Sequence, residues 1–220
     1  MTIRHHPQPD TLMSYASGAL PGAIAGLVAC HVSICPQCAG SLRRLGLVAG
    51  LLLERVAPEA YGDDYARRAV HRMHVAAAAA AMAQKKPKYQ PSDRVLPIPL
   101  ARYLGMSGSD IPWQSVVKGV QQYWVTLPKG AGEIRLVRAA PRIRLLAHSH
   151  RGMELTMVLR GSYRDKTGEY HPGDVSDLGE DIEHQPKVTS PEDCICIIAS
   201  EKPPRYSHFL ARLVQPFMGF

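Results

Sequence analysis

No stretch of this 220-residue chain is apolar for long enough to cross a bilayer. A spanning helix needs roughly 20 such residues, and the strongest run, Leu45–Leu53, falls well short. Ala76–Ala81 favours a helix but is only weakly hydrophobic. The opening Met-Thr-Ile-Arg-His-His-Pro has no apolar leader core. Both absences point to a soluble, cytoplasmic protein without a membrane partner. Cysteine is scarce: five, an odd count at short spacings, which argues against a secreted disulfide framework. A basic motif with interleaved aromatics is also missing, so direct nucleic-acid binding is not expected. The net charge of +7 is spread along the chain, with +2 in residues 1–84 and +5 in the remainder. Its densest patch, Arg135, Arg138, Arg142 and Arg144, alternates as a solvated strand face would.

Hydrophobic residues make up 45% of the chain, enough for real cores and too much for a disordered protein. Two textures divide it. Residues 10–20 read as a short helix with Asp10 as N-cap and Gly18 as terminator, and 22–31 as a second helix that carries His31 near its end. Cys35-Pro36 opens a third, with Pro where its missing N–H costs least. Leu42, Leu45, Ala49, Leu52 and Val56 recur at helical steps and read as a buried stripe. A fourth helix over 63–83 has a thinner face, Tyr65, Ala69, Met73, Ala76 and Ala80. That face suits packing on a partner, on the rest of the chain or on a second copy.

Pro87, Pro91, Pro97 and Pro99 among lysines then read as an extended linker. Short strands follow around 114–125, 132–138, 142–150, 154–164, 168–178 and 193–200, the pattern of a β-sandwich or barrel. A helix over 205–214 closes the reading. The class is α+β in two domains: a helical bundle over 1–84, a linker over 85–110 and a β-barrel over 111–220.

His31, Cys35 and Cys38 form H-x3-C-x2-C, three of the four ligands of a tetrahedral zinc. The fourth must come from elsewhere, and His5 and His6 are the obvious sources. Closing that loop through a metal would pin the N-terminus to a domain small enough to need a staple. A buried cysteine pair beside a core histidine and a redox C-x-x-C are the competing readings. Cys30 fits no metal spacing and reads as helix core.

His148, His150 and Glu154 form H-x-H-x3-E, with Gly161 seven residues on. Alternate strand residues share a face, so the two imidazoles point together. The pattern resembles the first cupin motif, and Gly173-Asp174 followed by His184 resembles the second. The site would be three-His, one-Glu, suited to Zn, Mn, Fe or Ni. Two departures stand out: Arg142 replaces the motif's first Gly, and Gly179 and Asp181 stand where its turn has Pro and Gly. Cys194 and Cys196 share a face of a late strand, with Ile195, Ile197 and Ile198 assigned to the core. They read either as small buried residues or as a thiol pair near the second metal, open to oxidation or ligand exchange.

His5-His6-Pro7, Leu12-x2-Tyr15-Ala16-x-Gly18-x-Leu20 and His31-x3-Cys35-x2-Cys38 together resemble the zinc-binding anti-sigma domain. With a cupin jelly roll after it, the whole chain resembles the ChrR-type anti-sigma factors. The resemblance implies that His6, His31, Cys35 and Cys38 hold zinc and that His148, His150, Glu154 and His184 hold a second metal, zinc by preference. It implies a regulator without catalysis. The helical part would grip an ECF-type sigma factor and keep it from core RNA polymerase, and the cupin would respond to oxidants such as singlet oxygen. The competing function is a dioxygenase-like cupin enzyme with an accessory zinc domain.

Overall fold

The computed structural model describes residues 2–57, 62–83, 95–150, 152–179, 182–202 and 205–206. Its helices are α1 (Pro9–Ala16), α2 (Gly22–Val32), α3 (Pro36–Leu53), α4 (Asp63–Ala83) and α5 (Ile98–Leu104). Strands β1 (Gln114–Val117), β2 (Val120–Val125), β3 (Glu133–Ala139), β4 (His148–Ser149), β5 (Glu154–Arg160) and β6 (Tyr163–Arg164) follow. The set is completed by β7 (Glu169–Tyr170), β8 (Val175–Leu178), β9 (Lys187–Val188), β10 (Cys194–Ser200) and β11 (Arg205–Tyr206). Pro9 and Pro36 sit at the first turns of α1 and α3, where no backbone hydrogen bond is lost. Gly18 turns the chain out of α1 at φ 72°.

A six-stranded sheet runs β1-β2-β3-β10-β5-β8, and the smaller sheets β7-β6-β9 and β4-β11 face it as a cupin-like sandwich. Strand alternation gives the large sheet two different faces. Ile134, Leu136, Leu155, Met157, Ile197 and Ala199 point toward the helical layer, where Ala23, Ile24, Leu27 and Val28 of α2 are fully buried. Both sets belong to one apolar cluster. The opposite face, with Val137, Cys194, Cys196 and Ile198, lines a cavity.

Several expectations change. The stripe on α3 is not buried: Leu42 and Leu45 are half-covered, but Leu52 and Val56 are 61% and 64% exposed, with Leu47, Leu51 and Leu53 beside them. The helix simply outruns the layer it packs on. The proline-rich linker is not extended throughout. Leu96, Leu100 and Ala101 are buried with α2, because α5 starts on Pro-compatible first-turn positions and packs its apolar side inward; residues 85–94 lie outside the described residues. Gln8, not Asp10, is the N-cap of α1. Residues 205 and 206 pair with β4 rather than starting a helix, and 207–214 lie outside the described residues. Ile198 faces the cavity with the cysteines, as its even spacing from Cys194 requires.

The arginine patch is not one solvated face. Arg135 is buried in the cavity wall beside Trp124, and Arg138 pairs with Asp193. Arg142 occupies the left-handed region at φ 65°, where the motif has glycine. The position keeps the backbone of the family turn at a cost of about 1–2 kcal/mol.

Because helices and sheet share one core, truncating it affects both. Leu155→Ala is expected to cost about 2–5 kcal/mol. Thermal melts should show helix and strand signals lost in one transition, whereas two separated transitions would contradict a shared core.

Candidate functional site

The first cluster is built by the N-terminal segment and two helix ends. α2 delivers His31, fully buried, from its last turn. Cys35 is the N-cap of α3 and its Sγ accepts the Cys38 N–H at 3.5 Å, which turns both sulfurs to one side. His6 Nδ1 lies 3.5 Å from each sulfur and 3.4 Å from His31 Nε2. Tetrahedral zinc, with Zn–N of about 2.0–2.1 Å and Zn–S of about 2.3 Å, implies edges of about 3.3 Å between nitrogens and about 3.6 Å from nitrogen to sulfur. His5 lies instead against Tyr170, with ring centroids 4.6 Å apart.

Protonation states argue for a cation here. His31 Nδ1 donates to the Gly173 carbonyl at 2.9 Å, which leaves an Nε2 lone pair facing the cluster. Burial lowers the His31 pKa to about 4, so the ring is neutral. Burial, then the neighbouring Cys35, pushes the Cys38 thiol up to about 12. A neutral His31 ring and a Cys38 thiol that resists ionisation, converged with His6 and Cys35, are consistent with a bound metal ion, which would displace the thiol proton.

The second cluster lies at the edge of the cavity. His148 and His184 come from segments bridged backbone to backbone, and Glu154 opens β5. All four side chains are buried. His148 Nε2 and His184 Nε2 approach to 3.1 Å, and His150 Nε2 and His184 Nε2 to 3.2 Å. His148 Nδ1 donates to the Leu146 carbonyl and His184 Nδ1 to Asp165 Oδ2, both at 2.8 Å. These outer bonds fix the tautomers and leave lone pairs facing one another, an arrangement that suits a cation between them. Burial lowers the His148 pKa to about 4, so the ring's own proton does not supply that cation near neutrality. Burial opposes ionisation of Glu154, but His150, Arg135 and His148 outweigh it and hold the carboxyl below its ordinary value. Glu154 Oε2 lies 3.1 Å from His150 Nδ1 without hydrogen-bond alignment, so both buried atoms keep unused capacity. Both clusters have all their donor atoms within 4.8 Å of one another. The first is consistent with zinc; the second suits a divalent ion with nitrogen and oxygen ligands.

Cys194 and Cys196 lie in the wall of the same cavity, with their sulfurs 3.7 Å apart. The Cys194 hydrogen bond, then burial, raises the Cys196 thiol well above its ordinary pKa. Cys30 is buried, as its lack of metal spacing suggests, and burial pushes it to about 12.

The sequence reading missed what joins the two halves. Asp174, fully buried, accepts the Arg4 and His5 amides on Oδ1 at 2.7 and 3.0 Å and the His171 amide on Oδ2. Asp177 Oδ2 accepts the Gln8 amide and the Thr11 hydroxyl, at the N-terminus of α1 where a carboxylate is favoured. The β7–β8 turn therefore carries the zinc-side segment directly, and Gly173 supplies the carbonyl that orients His31. Gly173-Asp174 was legible as a motif; its partners some 170 residues away were not.

A helical layer with a His2Cys2 cluster is clasped to a cupin-like sandwich with a His3Glu cluster, a two-cluster architecture rather than a lone barrel. Residues 104–203 match the ChrR cupin-like domain family. The chain is 35% identical over 218 residues to anti-sigma-E factor ChrR of Cereibacter sphaeroides, covering 99% of each. It superposes on a solved structure of Rhodobacter sphaeroides SigE in complex with the anti-sigma ChrR, with a TM-score of 0.70 and 32% identity, over 90% of this chain and 99% of that one. The chain belongs to the ChrR family of anti-sigma factors. Among the described residues no single helix is long and apolar enough to cross a membrane.

Metal analysis of the purified protein should find two equivalents per chain. Cys38→Ser is expected to remove one and to lower stability sharply, since a structural site contributes folding free energy. His184→Ala should remove the other. Loss of both ions from either variant would contradict two independent centres. Asp174→Asn should cost about 1–3 kcal/mol in denaturant melts, because three amides lose a carboxylate acceptor.

Proposed function

We propose that the protein is a cytoplasmic anti-sigma factor that sequesters an ECF-type sigma factor, covers its polymerase-binding surface and releases it when the cupin half senses an oxidant such as singlet oxygen. The observation that carries this reading is the likeness of nearly the whole chain to an anti-sigma factor solved with its sigma factor. The exposed stripe supports it and says where contact falls. Leu47, Leu51 and Leu52 on α3 and Val56 just beyond it, with Met73 and Val75 on α4, are exposed apolar side chains that a helical partner would cover. A stable regulatory contact of this kind buries on the order of 2,000 Å² or more.

In this reading His6, His31, Cys35 and Cys38 bind a structural zinc that fixes the start of α3 and the N-terminal segment. His148, His150, Glu154 and His184 bind the second ion, zinc by preference, with Mn, Fe and Ni as the other fits. The ion supplies a Lewis-acidic centre in the cavity wall. Cys194 and Cys196 are the groups whose oxidation would place polar oxygen in a packed wall. The back of that strand, at Ile197 and Ala199, lies in the core shared with α2. Glu154 begins β5 opposite Leu178 of β8, and β8 starts beside the Asp174 clasp. A disturbance of the cavity thus has a short covalent and hydrogen-bonded path to the zinc-side segment.

Leu52→Asp with Val56→Asp should abolish the sigma complex in copurification while leaving the melting temperature nearly unchanged, since neither side chain is buried. An unaltered complex would remove α3 from the interface. His148→Ala should keep sigma binding and blunt oxidant-triggered release in a reporter strain. Constitutive release instead would overturn this division of labour.

A further inference from the structure

We infer that the cavity inside the cupin sandwich is a binding site for a medium-chain aliphatic monocarboxylate, its head beside Arg135 and the His3Glu cluster and its tail along the apolar wall. The cavity encloses about 390 Å³, the size of a small-molecule site. Its polar part holds His148, His184 and Glu154 from the cluster and the buried Arg135, with Gln122 and Thr156 beside them. Val137, Ile143, Leu145, Val188 and Ile198 supply the apolar wall. Lys118 and Arg144 stand exposed at the rim next to Val117 and Leu146. Three cationic side chains therefore face the cavity against one carboxylate, which selects an anion.

The wall selects the rest of the ligand. A compact hydrophilic anion would leave the aliphatic surface unfilled, and a neutral alkane would place hydrocarbon against the charged and imidazole side chains of the polar part. Tyr163 also lines the cavity, and its hydroxyl is buried without a hydrogen-bond partner, so a donor is on hand for a carboxylate oxygen. Arg135 is held over the Trp124 ring at 5.7 Å, which positions its planar fork for two-point contact with a carboxylate. The site has a structural readout, because the cysteine-bearing strand forms its wall on one face and packs toward α2 on the other. The inference rests on reading the His3Glu cluster as a metal centre only for the head-group environment; Arg135 and the wall stand without it.

The test uses the full-length protein with metal content measured on the same sample. Octanoate, 1-octanol and octylamine are titrated by calorimetry and by tryptophan fluorescence, with Trp124 next to Arg135 as reporter. Octanoate should saturate at one per chain and bind at least about tenfold tighter than 1-octanol, with no binding of octylamine; Arg135→Gln should weaken octanoate by at least about tenfold, as a lost charge-assisted contact predicts. Val137→Phe, which fills the cavity, should abolish binding while circular dichroism and metal content stay unchanged. The site is overturned if octanoate fails to saturate a fully metal-loaded protein, if 1-octanol binds as tightly, or if folded Arg135→Gln binds normally. A missing second metal equivalent would instead contradict the metal centre, a failure that the metal analysis reads separately.

Discussion

The buried Asp174 carboxylate is the constraint on which the arrangement depends. It lies on the turn into β8 and accepts two amides from the very start of the chain, while Gly173 beside it fixes the His31 ring. A charged group with no exposure is costly unless its hydrogen bonds are supplied in full. Here they are, by Arg4, His5 and His171. Gly173 and Asp174 thus hold the barrel turn, the N-terminal segment and the tautomer of the His31 ring. None of these can move far without exposing the carboxylate to an apolar surrounding.

From that clasp follows a division of surfaces. One face of the large sheet serves the helical core and the other serves the cavity, so a single strand, β10, touches both. The helical layer is pinned at its base by the His2Cys2 cluster and by the sheet. The second half of α3, and α4 at Tyr65, Val70, Met73 and Val75, keep apolar side chains in solvent. Pinning one end and leaving the other apolar suits a protein that must stay folded alone and still offer a large surface to a partner. The two clusters differ to match. Cysteine sulfurs with imidazoles suit a closed tetrahedral site beside the N-terminal segment, whereas imidazoles with one carboxylate sit at the wall of a cavity.

Much of this was legible in the sequence because local spacing carried it. H-x3-C-x2-C and H-x-H-x3-E each fix three ligands by helix or strand geometry, and the structure brings both sets together with His6 and His184 as the fourth members. Helices α2 and α4 begin and end within a residue of the expected 22–31 and 63–83, and α3 opens at Pro36 as read but ends at Leu53, short of Val56. What failed was long-range. The α3 stripe has the period of a buried face, and period alone cannot say whether the burying partner is in the same chain. Arg135 alternates like a surface residue, and only the closed sandwich shows that its side of β3 faces inward. Asp174 and Asp177 look like loop acids until the first eleven residues lie on top of them.

The most direct test of the coupling is amide hydrogen exchange on the sigma complex during exposure to singlet oxygen. The Arg4, His5 and Gln8 amides, which donate to Asp174 and Asp177, should lose protection before the sigma factor departs. Departure of the sigma factor while those amides remain protected would contradict the account.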